Sequence, residues 1–134
     1  MVRRKTVPEA LRPAWGAFAE QAQRVEQARR AVLRCLPVGR VQPAPVTAGL
    51  GVLRAELAVV AAAMPAWRVP EVASQWQACR AAVDQSLRAL ERAHRAATDA
   101  AELEELLSAV ADVVQPLDVW SEAERRWRAL RVRR

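Results

Sequence analysis

The sequence predicts an all-α protein, an antiparallel up-down-up-down four-helix bundle, and three observations predict it. Ala, Leu and Val are in large excess, while four glycines, one phenylalanine and no tyrosine leave strands without turns or cross-strand partners. Apolar residues recur at spacings of three and four along four separate stretches. Clusters of proline, glycine and capping residues divide those stretches. At 134 residues, 52% of them apolar, the chain has material for a single core, so one domain over 1–134 with short basic N- and C-terminal tails is expected.

The first helix opens with Thr6, Pro8 and Glu9, a capping-box start with proline in its first turn, and continues through Leu11, Trp15, Phe18, Ala22, Val25, Val32 and Leu36. Pro13 predicts either a regular helix beginning near Arg12 or a kink. Pro37, Gly39, Pro43 and Pro45 make residues 37–45 a linker.

The second helix carries Val46, Leu50, Leu53, Leu57, Val60 and Met64 in heptad-like order. Between Val46 and Met64 only Arg54 and Glu56 are charged, so it is apolar around most of its circumference and must be covered by the bundle or by another subunit. Ala48, Gly49, Gly51 and Ala55 are small enough to admit a neighbouring helix, and equally serve as filler in an alanine-rich chain.

Pro65 and Pro70 bracket a connection containing Trp67, and Pro70 with Glu71 suits the start of the third helix. Its seam reads Val72, Trp76, Cys79, Val83, Leu87, Leu90 and His94. Asp99 and Glu102 cap the fourth, which runs through Leu106, Val110, Val113, Leu117, Trp120 and Trp127. Its phase survives Pro116, which predicts one long Pro-kinked helix; Ser121 with Glu124 offers an alternative restart.

The 21 basic residues, all arginine except Lys5, exceed the 15 acidic ones by six and permit association with polyanions. Residues 1–97 hold fifteen basic and seven acidic side chains, 98–124 none and eight, and 125–134 six and none. An alternating bundle sets Asp99, Glu102, Glu104 and Glu105 beside Arg29, Arg30, Arg34, Arg88, Arg92 and Arg95. Acid-to-arginine pairs at i, i+4 join Glu20 to Arg24, Glu26 to Arg30, Asp84 to Arg88, Glu91 to Arg95, Glu122 to Arg126 and Glu124 to Arg128. An unmatched remainder, Arg125, Arg126, Arg128, Arg131, Arg133 and Arg134, gathers near Arg3, Arg4 and Lys5 with Trp127 among them. That pole suits phosphates and a stacked base, or a solvated terminus.

Arg88, Arg92 and Arg95 project within about 60° of one another opposite the seam of the third helix, the first choice for a phosphate-contacting face. Arg29, Arg30 and Arg34 come second, with Arg29 expected to snorkel at the bundle end.

In size, helicity and basic surface the chain resembles the small subunit of CRISPR effector complexes. The resemblance spans the whole chain and rests on no motif. It implies a subunit that lines the complex and holds RNA or displaced single-stranded DNA, here through these arginines; from the residues themselves, the chain is expected to be non-catalytic and to dock on protein through apolar surface near the second helix. The rival reading is a protein-protein adaptor or self-associating bundle without nucleic acid.

Arg88 and His94 fit the R-x5-H spacing of HEPN ribonucleases, but an ideal helix sets them about 120° apart and position 89 is alanine. Glu91-x-x-His94 matches half of a ferritin-like di-metal site, yet the chain has a single histidine and no acid on the first two seams. No CxxC, phosphate-cradling glycine loop or nucleophile-base pair is present, so neither catalysis nor a cofactor is expected. Cys35 and Cys79 are expected as buried reduced thiols. No apolar block follows the basic start, and the run Leu57–Trp67, broken by Pro65, is too short for a bilayer, so a cytoplasmic chain that avoids membranes is expected.

Overall fold

The computed structural model describes residues 12–36, 43–68, 70, 73–99 and 102–129. It is all-α, with α1 at Arg12–Arg34, α2 at Pro43–Ala63, α3 at Ala73–Thr98 and α4 at Leu103–Ala129. A 3-10 turn, Met64–Trp67, extends α2. Among the described residues there is no strand. The capping-box start at Thr6 and Glu9 lies outside the described residues, as do Leu11, Val72 and Glu71.

Prolines set the helix starts. In α1 the first described residue is Arg12 and Pro13 follows it, a place where a missing N–H is tolerated; the choice between a helix start near Arg12 and a kink turns on residues before Arg12, outside the described residues. For the same reason Pro43 and Pro45 open α2 rather than belonging to the linker, and the helix starts three residues earlier than Val46. α4 runs without interruption through Pro116 and Ser121, so there is no second restart. Pro116 is buried there.

The core closes around α2. Val46, Leu50, Leu53, Leu57, Val60 and Met64 are all buried, as their spacing predicts. Phe18 of α1 joins Trp67 (ring centroids 3.9 Å apart) to Trp120 of α4 (6.1 Å, edge to face). α1 also meets α2 at Gly49, where an added Cβ would stand 3.4 Å from Val32 Cγ2, at the edge of ordinary van der Waals contact. Trp76 Nε1 donates to the Met64 carbonyl (2.7 Å) and Arg80 to the Ala61 carbonyl (3.1 Å), fastening α3 to the end of α2.

The most extensive helix pair is α3 with α4, and its α3 face mixes small residues with Val83 and Leu90. Cys79, Val83, Ser86, Leu90, Ala93 and Ala97 are buried, whereas the expected Leu87 is half-buried and His94 is exposed. Small side chains hold the centre because they let the backbones approach; Ser86 then reaches the Val113 carbonyl at 3.0 Å. The α4 face is Leu106, Val110, Val113, Leu117 and Trp120, and it ends on Glu124, which is only 4% exposed. Cys79 is buried and Cys35 half-buried, both as free thiols.

Candidate docking surface and arginine network

Of the arginines singled out from sequence, most of those whose side chains lie among the described residues are paired within the fold. Arg29, the odd cation of the α1 seam, does not snorkel at the bundle end: it reaches across to Asp118 of α4 and also donates a hydrogen bond to Glu26 (3.2 Å). Burial opposes its charge, but the hydrogen bonds to Asp118 and Glu26 outweigh that penalty and hold its pKa above the ordinary arginine value. Arg30 pairs with the same Glu26 at 3.0 Å, as the i, i+4 spacing predicts. The groove between α1 and α4 is thus lined by Glu26, Arg29, Arg30, Asp118, Glu124 and Arg125, with charge of both signs.

On α3 the three-arginine face divides. Arg92 is tied to Asp112 of α4 at 2.7 Å. Arg95 lines a shallow depression with Arg92, Asp99 and Glu105, and Arg88 stands exposed. The expected pairs of Asp84 with Arg88 and Glu91 with Arg95 are replaced: Asp84 turns back to Arg80 (3.2 Å) and Glu91 crosses to Arg54 of α2 (3.0 Å). These corrections share a cause, since a neighbouring helix or an earlier turn offers the carboxylate a nearer guanidinium. At the far end Arg125 and Arg126 share Glu122 (2.9 and 3.1 Å). The side chains of Arg128 and Trp127, like Arg3, Arg4, Lys5, Arg131, Arg133 and Arg134, lie outside the described residues.

Among the described residues, Arg12, Arg24, Arg34, Arg88 and Arg95 are exposed without a carboxylate in ion-pair range. Arg68 lies over the Trp76 ring at 5.1 Å. No group of three His, Cys, Asp or Glu that could hold a metal ion occurs among the described residues, and Arg88 and His94 are both solvent-exposed positions of α3.

The largest unexplained feature is on α2. Its core face is fully covered, but Pro45, Ala48, Val52, Ala55, Val59 and Ala62 are exposed, at spacings of three, four, three, four and three. On a helical projection this second stripe lies about 150° from the core stripe. Val52 is 55% and Val59 48% exposed, large values for β-branched apolar side chains. Arg54, paired to Glu91, and the half-buried Glu56 sit off the stripe, one on each side. Sequence reasoning foresaw that so apolar a helix needs cover on most sides; the rest of the described chain supplies it on one side only.

By length and composition the span Ala44–Trp67 is long and apolar enough to cross a membrane; an 18-residue stretch within it has a mean hydropathy of 1.6 and is one third buried. The expectation from Leu57–Trp67 concerned the longest charge-free run, whereas this longer span includes two charges. An unbroken apolar run ends at any charge, whereas a stretch of mean hydropathy 1.6 accommodates Arg54 and Glu56.

Compared with protein families, curated proteins and solved structures, the chain matches none.

Proposed function

We propose that this chain is a non-catalytic helical subunit of a larger assembly and docks through the outward face of α2. The observation that carries this reading is the uncharged stripe from Pro45 to Ala62, exposed along the whole helix while the opposite face is filled by the core. Exposed Val and Ala in continuous register lower their free energy by leaving water, and the absence of charge on the stripe makes an apolar protein surface the fitting partner. The arginines support nucleic-acid contact less strongly, because Arg29, Arg30, Arg92, Arg125 and Arg126 already face carboxylates.

The test is purification from the native source with and without nuclease, comparing the unaltered chain with Ala55→Glu. A complex that survives nuclease and is lost in the variant supports the docking role. Equal recovery of the complex with both chains overturns it.

A second reading is favoured by Arg88 and Arg95, which face solvent without an ion-pair partner among the described residues. Here the subunit also touches RNA or single-stranded DNA phosphates, the role that the resemblance to small CRISPR effector subunits implies. Retention of single-stranded nucleic acid would then fall steeply as salt rises, and Arg88→Ala with Arg95→Ala would flatten that dependence.

A further inference from the structure

We propose that the partner covering the outward stripe of α2 is a second copy of this chain, seated antiparallel so that α2 packs on α2; this rests on the docking role above. The order of side-chain sizes along the stripe is complementary to itself when reversed. Written as alternating heptad positions, the stripe places Pro45, Val52 and Val59 at one and Ala48, Ala55 and Ala62 at the other, all exposed. Every bulky residue falls at the first position and every alanine at the second.

When two such helices run antiparallel, each layer joins the first position of one helix to the second position of the other. Val52 then meets Ala55 of the second copy, Val59 meets Ala48, and Pro45 meets Ala62, so every layer has one large and one small side chain. A parallel pairing would instead stack Val on Val and Ala on Ala, giving layers alternately overfilled and empty. A twofold interface must be complementary to itself, residue i on j and j on i, and the sum of the paired numbers is constant along this stripe. Neither charge on α2 enters these layers, since Arg54 is drawn aside by Glu91.

The area sets the strength. The stripe is about 26 Å long and a helix about 11 Å across, a footprint of roughly 300 Å² on each copy. Stable specific interfaces bury about 1,000 Å² or more in total. A contact of that size belongs with weak, reversible associations, so the dimer is expected to dissociate on dilution.

The experiment is sedimentation equilibrium of the full chain from 1 to about 500 μM, with circular dichroism confirming unchanged helicity in each variant. Four exposed substitutions are compared: Val52→Ala, Ala55→Val, both together, and Ala55→Glu. Either single change spoils two symmetry-related layers and raises the dissociation constant at least about tenfold, one by a void and the other by a clash. The double change restores a large-on-small layer and returns the constant to within about threefold of the unaltered chain, because only an antiparallel self-pairing exchanges these two positions. Ala55→Glu abolishes the dimer.

A monomer at every concentration overturns the inference. If Ala55→Glu nonetheless removes the native complex, the docking role survives with a different partner; if it does not, both fail. A dimer indifferent to the single changes, or a double variant as weak as the singles, also overturns it. So does flotation of the chain with phosphatidylcholine vesicles that Ala55→Glu prevents, which would give the stripe to lipid.

Discussion

Ser86 donates its hydroxyl to the Val113 carbonyl from a fully buried position, a polar contact at the centre of the α3–α4 interface. It explains why an apolar helix face has a serine at its middle. The hydroxyl is small enough for close approach and finds an acceptor on arrival. Ser86→Ala is expected to lower unfolding stability by about 1 kcal/mol, the net worth of one buried hydrogen bond. Ser86→Leu is expected to cost more, about 1–3 kcal/mol, because the added methylenes have no room. Urea denaturation of both variants checks the order; a Leu variant as stable as the Ala variant would show that the helices are not closely apposed there.

The helix pair was readable from sequence only in part, and the reason is size. On α2 every seam position is a large aliphatic or methionine, and all six are buried. On α3 the in-phase His94 belongs to the same pattern as Leu90 yet is exposed, while Ser86, Ala93 and Ala97 do the packing. A reading that ranks residues by apolar bulk passes over small ones, though they decide how near two backbones come. Glu124 was missed likewise: it lies in phase with Trp120, and charge directs attention to the surface.

The ion pairs divide along a different line. Glu26–Arg30 and Glu122–Arg126 follow from i, i+4 geometry and are present. Arg29–Asp118, Arg92–Asp112 and Arg54–Glu91 depend on how each helix is rotated against its neighbour, which one sequence does not contain. The outward stripe of α2 was visible only as excess apolarity, because which face is left bare depends on where α1 and α3 settle.

The Arg29–Asp118 contact ties α1 to α4 and supports a second prediction. Arg29 has a side chain only 20% exposed, so removing a partner leaves a poorly hydrated guanidinium. Glu26 remains beside it, and Asp118 is itself 67% exposed, which screens the contact. Asp118→Ala is therefore expected to cost only about 1 kcal/mol. Glu26→Ala combined with Asp118→Ala should cost more than the two separate changes together, since only the double variant strands the charge. Thermal or urea unfolding of the three variants tests this, and strict additivity would show that the two carboxylates act independently.

Glycines give a third prediction that separates propensity from packing. A Cβ on Gly16 or Gly51 would meet nothing within 4 Å, so Gly16→Ala and Gly51→Ala should each stabilise the protein by about 0.5–1 kcal/mol. At Gly49 the new methyl meets Val32 at 3.4 Å, and Gly49→Ala should yield a smaller gain. Melting temperatures of the three variants should rank Gly49→Ala lowest. If it ranked highest, α1 and α2 would be further apart than their contact indicates.

Cys79 makes the protein's stability depend on alkaline pH. Burial, with the nearby charge of Glu124 adding to it, pushes this thiol up to about 12 from an ordinary value of 9.0. An unfolded chain would ionise the thiol from about pH 9 upward while the folded chain keeps it protonated. The stability associated with the neutral thiol is thus fully present below that pH and is lost as pH rises toward 12, at up to about 1.4 kcal/mol per pH unit. Urea unfolding between pH 8 and about 10.5 should show the decline, and Cys79→Ala, though less stable at neutral pH from its cavity, should show a flatter one. The same protonated, buried state predicts that a thiol reagent at pH 8 modifies the half-buried Cys35 first and Cys79 only on unfolding. Equal slopes in the two proteins, or rapid labelling of both cysteines in the folded chain, would mean that Cys79 is open to solvent and that the α3–α4 seam does not close over it.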